Sequence, residues 1–117
     1  MSETKLVRDL MQHWSASGMR LFRNQVGSYQ LPDGRWLSSG LCIGSSDLIG
    51  WTPVIVNETH LGRPLAVFTA IECKVGKRDE TVQQARFISR VREDGGLAVV
   101  ARSSEDVDIE LKRFLSA

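Results

Sequence analysis

Several features are scarce or missing in this sequence, and each absence excludes a class of protein. No stretch approaches the roughly 18 consecutive apolar residues of a membrane-spanning helix, so we expect no membrane protein. The opening residues, MSETKLVRDL, are charged and contain no apolar core of a secretory signal. The only cysteines, Cys42 and Cys73, form no CxxC pair and have no neighbouring histidine cluster. We therefore expect reduced core cysteines, a cytoplasmic location and no zinc site.

A strong net charge is missing as well. The formal charge of +1 gives the chain no bulk attraction to a polyanion, so nucleic-acid binding would need local basic patches. The candidates are Lys77 and Arg78, together with Arg86 and Arg90 one helical turn apart. Such patches are common as solvated surface charges, and on charge alone that interpretation is favoured. The two histidines lie far apart and offer no Ser/His/Asp or Cys/His catalytic set.

What is present is the composition of an ordinary globular domain. The chain of 117 residues is 42% hydrophobic and 25% charged, which suffices for one core in a single domain spanning residues 1–117. Hydrophobic periodicity predicts the order α-β-β-β-α-β-α. A meander of strands followed by a crossover helix and a parallel strand indicates an α/β fold, a mixed β-sheet flanked by helices.

The individual elements follow from capping residues, turn residues and apolar periodicity. A Gly interrupts the first predicted strand. The segment after the first turn is either a short strand or a loop. The polar segment 57–64 is expected to connect an antiparallel pair of strands. In chain order they are a helix over 2–17 capped by Ser2, a strand over 19–31, a turn at 32–34, the segment 36–43, a strand over 47–56, a strand over 66–75, a helix over 79–94 closed by Gly95 and Gly96, a strand over 97–101, and a helix capped by Ser103 with Asp106 at the capping-box position.

The segment 66–75 (AVFTAIECKV) contains the first functional clue. Its continuous apolar character predicts a strand that is buried on both faces. Alternation places Glu72 and Lys74 on one face and Ile71, Cys73 and Val75 on the other. A carboxylate and an ammonium on such a strand are costly unless they are paired with each other or bind a metal.

A metal site follows if the strand that begins at Asp47 pairs antiparallel with segment 66–75. Asp47 and Glu72 would then be neighbours, and the backbone carbonyl of Cys73 could be a further ligand. Hard oxygen ligands of this kind suit Mg²⁺ or Mn²⁺. The metal would activate a water and offset charge on a phosphate, while Lys74 would orient the nucleophile or stabilise the transition state. As bare spacing, a D…ExK pattern is weak, and its place on an apolar strand strengthens it.

Two further polar residues have two interpretations each. Glu3 lies on the same face as the apolar stripe of the first helix, where it could point at a metal, but a first-turn Glu is also favoured by the helix dipole. The residues alone favour the dipole. Gln84 is the one large polar member of the stripe of the helix over 79–94, and it could hold the Lys or the water. It is also in the capping-box position relative to Thr81, and both interpretations stay open.

The pattern resembles the PD-(D/E)xK nuclease superfamily and is similar, more specifically, to the VRR-NUC (virus-type replication-repair nuclease) family. The similarity covers most of the chain in the right order. It departs at Ser45-Ser46, where the family usually has a small apolar residue and Pro before the Asp. The matching pieces are a first helix opening with Glu3, Leu21-Phe22-Arg23-Asn24 with Gly27, Gly44-x-x-Asp47-Leu48-Ile49-Gly50, Ile71-Glu72-Cys73-Lys74-Val75-Gly76, Gln84-x-x-Phe87, and Gly95-Gly96-x-Ala98-x-Val100.

The resemblance implies a Mg²⁺- or Mn²⁺-dependent endonuclease acting on DNA. Stand-alone members are typical of phages and bacteria and resemble Holliday-junction resolvases, which implies a homodimer that cuts four-way junctions in the cytoplasm. The same resemblance favours the functional interpretation of both Glu3 and Gln84. By carry-over the site set is as follows: catalytic residues Glu3, Asp47, Glu72, Lys74 and Gln84; metal ligands Glu3, Asp47, Glu72 and the Cys73 carbonyl; DNA contacts Arg23, Lys77, Arg78, Arg86 and Arg90.

Two alternatives remain beside the resolvase-like enzyme. One is a flap or nicking nuclease of looser specificity. The other is a non-catalytic nucleic-acid-binding subunit on the same fold. Intact Asp47, Glu72 and Lys74 argue against the second alternative, because a retired site need not keep costly charges on a buried strand.

Overall fold

The computed structural model describes residues 2–116, which divide into two compact units, one up to Val54 and one from Ile55. The class is α/β, as predicted, with additional short strands in the first unit. A short 3₁₀ turn, Glu58–His60, lies in the polar segment before β5. In chain order the elements are α1 (Glu3–Ala16), β1 (Arg20–Arg23), β2 (Gly27–Gln30), β3 (Trp36–Ser39), β4 (Leu48–Trp51), β5 (Thr69–Cys73), α2 (Val82–Glu93), β6 (Leu97–Ala101) and α3 (Ser104–Ser116).

The first unit opens with α1, which begins and ends as the sequence predicts. Ser2 is the N-cap, and its hydroxyl oxygen accepts a hydrogen bond from the backbone N–H of Lys5 at 3.1 Å. Gly18 follows the helix with φ 102°, a conformation that glycine adopts without steric cost. Val7 is the buried member of the apolar stripe, and the helix contacts β1.

β1 pairs antiparallel with β4, and this ladder determines where Asp47 lies. The register places Arg23 opposite Leu48, and the N–H of Asn24 donates to the carbonyl of Asp47 at 2.8 Å, one step beyond the strands. Within the ladder only a glycine fits at position 50. A Cβ atom there would lie 1.6 Å from the carbonyl oxygen of Arg20, far inside contact distance.

The predicted strand over 19–31 is divided into β1 and β2, and β2 forms an antiparallel hairpin with β3. The predicted turn at 32–34 connects the hairpin. Leu31 N–H donates to the carbonyl of Arg35 at 2.7 Å, and an Asp33 carboxylate oxygen accepts from the Arg35 N–H at 3.0 Å. The segment 36–43 is therefore a short strand that continues into a loop.

In the second unit β5 and β6 are parallel and α2 connects them, as the crossover prediction required. The buried core of this unit is formed by α2 and β6, and α3 packs against β6. Gly95 and Gly96 close α2, with the Gly96 N–H donating to the Val91 carbonyl at 2.8 Å. The buried core residues are Ile88, Val91, Ala98, Val99 and Ala101.

The strands pair within each unit, and the second unit supplies the predicted parallel pair. Within residues 2–116 the strands form three two-stranded sheets, with β4 paired to β1 and β5 paired to β6. The close backbone approach at Gly50 matches β4 to β1, and the crossover through α2 matches β5 to β6.

The predicted burial of segment 66–75 on both faces is wrong. Its strand alternates, with Glu72 and Lys74 half-buried and Ile71, Cys73 and Val75 exposed. The face that carries Glu72 and Lys74 is the covered one, because α2 lies over it. Gln84 of α2 accepts a hydrogen bond from Lys74 there. An apolar run does not reveal which of its faces a helix will cover. For the same reason Cys73 is a free but exposed thiol and not a core residue.

Cys42 also departs from the core assignment. It lies in the loop after β3, where it is a free thiol and is exposed. No helix within residues 2–116 is both long and apolar enough to cross a lipid bilayer.

Candidate active site

The first group of predicted site residues is a pair of carboxylates in the first unit. Glu3 is the first residue of α1, and Asp47 directly precedes β4. The α1–β1 contact and the β1–β4 ladder bring both residues to the wall of one cavity of about 380 Å³. The full lining is Glu3, Thr4, Val7, Arg23, Asn24, Gln25, Val26, Ser45 and Asp47.

The chemistry of this cavity suits a hard cation that is only partly coordinated by protein. Two acidic residues, Glu3 and Asp47, and one basic residue, Arg23, are among the residues that line it. Mg²⁺ commonly takes one or two carboxylates and completes its shell with waters and substrate phosphates. Among the described residues, no three or more His, Cys, Asp or Glu side chains gather as a cage made of protein ligands alone. The carboxylates that line this cavity are hard oxygen donors of the kind that Mg²⁺ and Mn²⁺ prefer.

The second group is a Glu–Lys–Gln cluster in the second unit, formed by Glu72, Lys74 and Gln84. The Nζ atom of Lys74 lies 3.4 Å from Oε1 of Glu72 and 3.0 Å from Oε1 of Gln84. The Lys74 side chain is only 14% exposed, and that of Glu72 is 30% exposed. Alternation along β5 places Glu72 and Lys74 on the same face, and the first turn of α2 supplies Gln84. The two charges thus offset each other's desolvation, and Lys74 is held in a defined position.

Gln84 performs both of the roles between which the sequence could not decide. Its Oε1 atom accepts from the backbone N–H of Thr81 at 2.8 Å, and the hydroxyl of Thr81 accepts from the Gln84 N–H at 3.1 Å. This is a complete capping box at the start of α2. The same oxygen accepts from Lys74. The helix cap therefore fixes the rotamer that presents Oε1 to the lysine.

The remaining predicted ligand is the carbonyl of Cys73, the last residue of β5. Cys73 lies opposite Ala101 in the parallel ladder, and the next N–H, that of Lys74, donates to the Ala101 carbonyl at 3.1 Å. This hydrogen bond extends the ladder one residue past β5. The backbone on both sides of Cys73 is therefore held at the edge of the Glu–Lys–Gln cluster.

The structure thus assembles the predicted site residues as two sets. Glu3 and Asp47 share a cavity in the unit that ends at Val54. Glu72, Lys74 and Gln84 form the Glu–Lys–Gln cluster in the unit that begins at Ile55, through one ion pair and one hydrogen bond. The first set joins residues that are distant in sequence, and the second joins two neighbours on one strand face to a residue of the next helix. Carboxylates and an ammonium are groups that catalyse phosphodiester hydrolysis.

The predicted DNA contacts are exposed cations. Lys77 and Arg78 lie in the loop between β5 and α2, and Arg86 and Arg90 lie on the exposed part of α2. Arg23 differs from these four, because it lines the carboxylate cavity at the end of β1.

Arg102 organises the loop that carries two of these cations, and no sequence motif indicated it. Its guanidinium donates to the carbonyl of Gly76 at 3.3 Å and to the carbonyl of Arg78, and it contacts the Asp79 carboxylate at 3.3 Å. Arg102 directly follows β6, so only the β5–β6 pairing brings it to this loop. The pairing itself was predictable from the sequence, but the contact that Arg102 makes was not.

Comparison with known proteins gives one family. The family model described as the VRR-NUC domain matches residues 1–105 of the 117-residue chain. The matched region contains both the carboxylate pair and the Glu–Lys–Gln cluster. No curated protein and no solved structure matches the chain significantly.

Proposed function

We propose that this chain, which belongs to the VRR-NUC family, is a metal-dependent endonuclease that hydrolyses phosphodiester bonds in DNA. Family membership implies a nuclease domain of the PD-(D/E)xK type, with DNA as its substrate class. The observation that carries the rest is the fixed position of Lys74 between Glu72 and Gln84. Phosphodiester hydrolysis builds negative charge on the phosphoryl oxygens, and a preorganised ammonium stabilises that charge.

The proposed roles of the site residues follow from the chemistry of their side chains. Glu3, Asp47, Glu72 and the Cys73 carbonyl are the ligands proposed for Mg²⁺ or Mn²⁺. When bound, such an ion supplies Lewis-acid chemistry and lowers the pKa of a coordinated water. The Lys74 ammonium donates a hydrogen bond to Gln84 and forms an ion pair with Glu72. Its three protons leave a donor for an oxygen of the phosphate or of the attacking water.

The substrate proposal is branched DNA, cut by a homodimer in the cytoplasm of a phage-infected or bacterial cell. Two sites related by a two-fold axis would reach opposing strands of a four-way junction. A net charge of +1 with a few exposed cations supports recognition of DNA shape more than tight binding to any duplex. This part of the proposal rests on analogy with the stand-alone family members.

The test is cleavage of labelled four-way junction, flap and linear duplex in Mg²⁺, Mn²⁺ or EDTA. Wild type is compared with Glu72→Gln, which keeps the shape of the side chain and removes its charge. Glu110→Gln is the matched control, because Glu110 pairs with Arg113 at 2.6 Å on α3, outside both site groups.

We expect symmetric junction cuts by wild type and Glu110→Gln in either metal, with no cutting by Glu72→Gln or in EDTA. Cutting of flap and linear duplex as well as junction would support a nuclease of looser specificity and would contradict the resolvase-like function. Absence of metal-dependent cutting on every substrate would overturn the proposal in favour of a binding subunit.

A further inference from the structure

A single residue, Asn24, holds the loop that leads into Asp47 in place by hydrogen bonds. Its side-chain nitrogen donates to the hydroxyl of Ser45 at 2.7 Å and to the carbonyl of Ser46 at 2.8 Å. Its side-chain oxygen accepts from the backbone N–H of Leu41 at 2.7 Å. Its own backbone N–H donates to the carbonyl of Asp47 at 2.8 Å. An amide can donate and accept at once, which explains why an Asn suits this position.

These bonds fix the backbone on both sides of Asp47. The peptide that precedes the Cα atom of Asp47 carries the Ser46 carbonyl, which the side chain of Asn24 holds. The peptide that follows it carries the Asp47 carbonyl, which the main chain of Asn24 holds. When both flanking peptide planes are held, the φ and ψ angles of the residue between them are determined. The direction in which the Asp47 side chain leaves the backbone is then set by Asn24.

The loop has few other means of fixing this direction. Position 46 is a serine, so no proline ring restricts the chain before Asp47. Gly44, two residues earlier, has φ 87° and adds conformational freedom in the unfolded state. Ser45 is bonded in turn to Cys42, whose carbonyl accepts from its hydroxyl at 2.6 Å and from its N–H at 3.0 Å. Asn24 is the residue that connects this local turn to the rigid β1–β4 ladder.

We propose that Asn24 is the positioning residue for Asp47, directing its carboxylate into the cavity shared with Glu3 and thereby setting the affinity for a divalent cation. The inference rests on the proposed function, because it takes Asp47 as a ligand of that cation. Both polar atoms of the Asn24 side chain are committed to the loop, so its role is orientation of Asp47. Residues that orient a metal ligand typically change metal affinity by 10- to 100-fold when they are removed.

The experiment measures Mn²⁺ binding by calorimetry and cleavage of a labelled junction as a function of metal concentration, for wild type and Asn24→Ala. Asn57→Ala is the matched control. It removes another loop asparagine, whose side-chain oxygen accepts from the Thr59 N–H at 2.9 Å in the second unit. Thermal unfolding of each variant shows that all measurements are made on folded protein.

We expect the Mn²⁺ dissociation constant to rise by about 10- to 100-fold in Asn24→Ala and to stay unchanged in Asn57→Ala. Cleavage by Asn24→Ala should return toward the wild-type rate at high metal, since the ligand itself is present. An Asn24→Ala protein that binds Mn²⁺ as tightly as wild type would overturn the inference. If Asn24→Ala does not fold, Asn24→Ser decides, because its short hydroxyl cannot hold both Ser45 and the Ser46 carbonyl. Weaker Mn²⁺ binding then supports the inference, and unchanged binding overturns it.

The nuclease activity and the positioning role fail in different ways. Wild type that binds Mn²⁺ but cuts no DNA would refute the nuclease and leave the positioning role to be decided by calorimetry. Wild type that cuts DNA with metal while Asn24→Ala shows an unchanged metal dependence would keep the nuclease and refute the positioning role.

Discussion

Replacing Gln84 separates the two uses of one oxygen atom. Gln84→Ala removes the acceptor for both the Thr81 N–H and the Lys74 ammonium. Thr81→Ala removes only the hydroxyl that caps α2, and it keeps the backbone N–H that orients Gln84. The two variants therefore damage the same helix start, but only one of them leaves Lys74 without its partner on α2.

The expected losses of stability are similar. Loss of a Thr N-cap costs about 1 kcal/mol, and loss of a side-chain hydrogen bond to backbone costs about 0.5 to 1.5 kcal/mol. For a domain of this size either change lowers the midpoint of thermal unfolding by about 4 °C. Stability alone will not distinguish Thr81→Ala from Gln84→Ala.

The expected losses of activity differ. A hydrogen bond to a charged group contributes about 1.5 to 3 kcal/mol, which corresponds to about 10- to 150-fold in rate if it is lost entirely in the transition state. Lys74 keeps its contact with Glu72 at 3.4 Å, so the lower end applies. We predict about a tenfold to thirtyfold lower single-turnover cleavage rate for Gln84→Ala. Thr81→Ala should stay within about twofold of wild type.

The assay is single-turnover cleavage at saturating metal, well below the unfolding temperature of either variant, with calorimetric melting of the same preparations. Equal rate losses in the two variants would show that the start of α2 matters and that the bond to Lys74 does not. A Gln84→Ala rate within about twofold of wild type would likewise refute the role given to this oxygen.

Three further changes have definite expected outcomes. Gly50→Ala should destabilise the protein by about 1 to 3 kcal/mol in denaturant unfolding, because its Cβ would meet the backbone oxygen of Arg20 at 1.6 Å. Lys74→Met should lower kcat by at least about a hundredfold while DNA binding persists, since the ammonium acts on the developing charge. Combined Lys77→Ala and Arg78→Ala should weaken junction binding and lower the slope of log affinity against log salt by up to about 2, because each cation neutralises at most one phosphate.

Each of these changes has a matched control in the same chain. Gly27 is also a strand glycine, but a Cβ added there would have only an ordinary contact at 3.8 Å. If Gly27→Ala lost as much stability as Gly50→Ala, the steric argument would be refuted. Lys112→Met removes an exposed lysine that pairs with Asp108 on α3, and it should leave cleavage unchanged. Lys112→Ala combined with Arg113→Ala should leave the salt dependence of junction binding unchanged. A reduced slope in this variant would show that the effect is not specific to Lys77 and Arg78.

The sequence predicts local structure well where a residue type has one dominant local use. Ser2 as the cap of α1, the turn at 32–34, and Gly95 and Gly96 after α2 are all confirmed, because capping and turn geometry depend on nearby residues. The parallel pair joined by α2 is also confirmed, since a crossover helix leaves few alternatives.

Strand pairing and burial could not be predicted in the same way. Segment 66–75 has an apolar sequence, yet the face that carries Glu72 and Lys74 is the one α2 covers. The partner of β4 is set by a backbone approach at Gly50 that leaves no periodic signal. The contacts of Asn24 and Arg102 join residues at least 17 positions apart, and only the fold brings such residues together.

The candidate site could be predicted as a set of residue types, and its geometry could not. Spacing and family resemblance indicated Glu3, Asp47, Glu72, Lys74 and Gln84. Only the folded structure shows that Glu3 and Asp47 share a cavity. The same is true of the capping oxygen of Gln84, which is also the one that holds Lys74.

If cleavage depends on a divalent cation held by the carboxylate cavity, Asp47→Asn should abolish it. Mg²⁺ binding by calorimetry and cleavage of a labelled four-way junction are measured on the same preparations of wild type and variant. We predict that Asp47→Asn, folded and of normal melting temperature, loses both high-affinity Mg²⁺ binding and cleavage. An Asp47→Asn protein that binds Mg²⁺ and cuts the junction like wild type would contradict it.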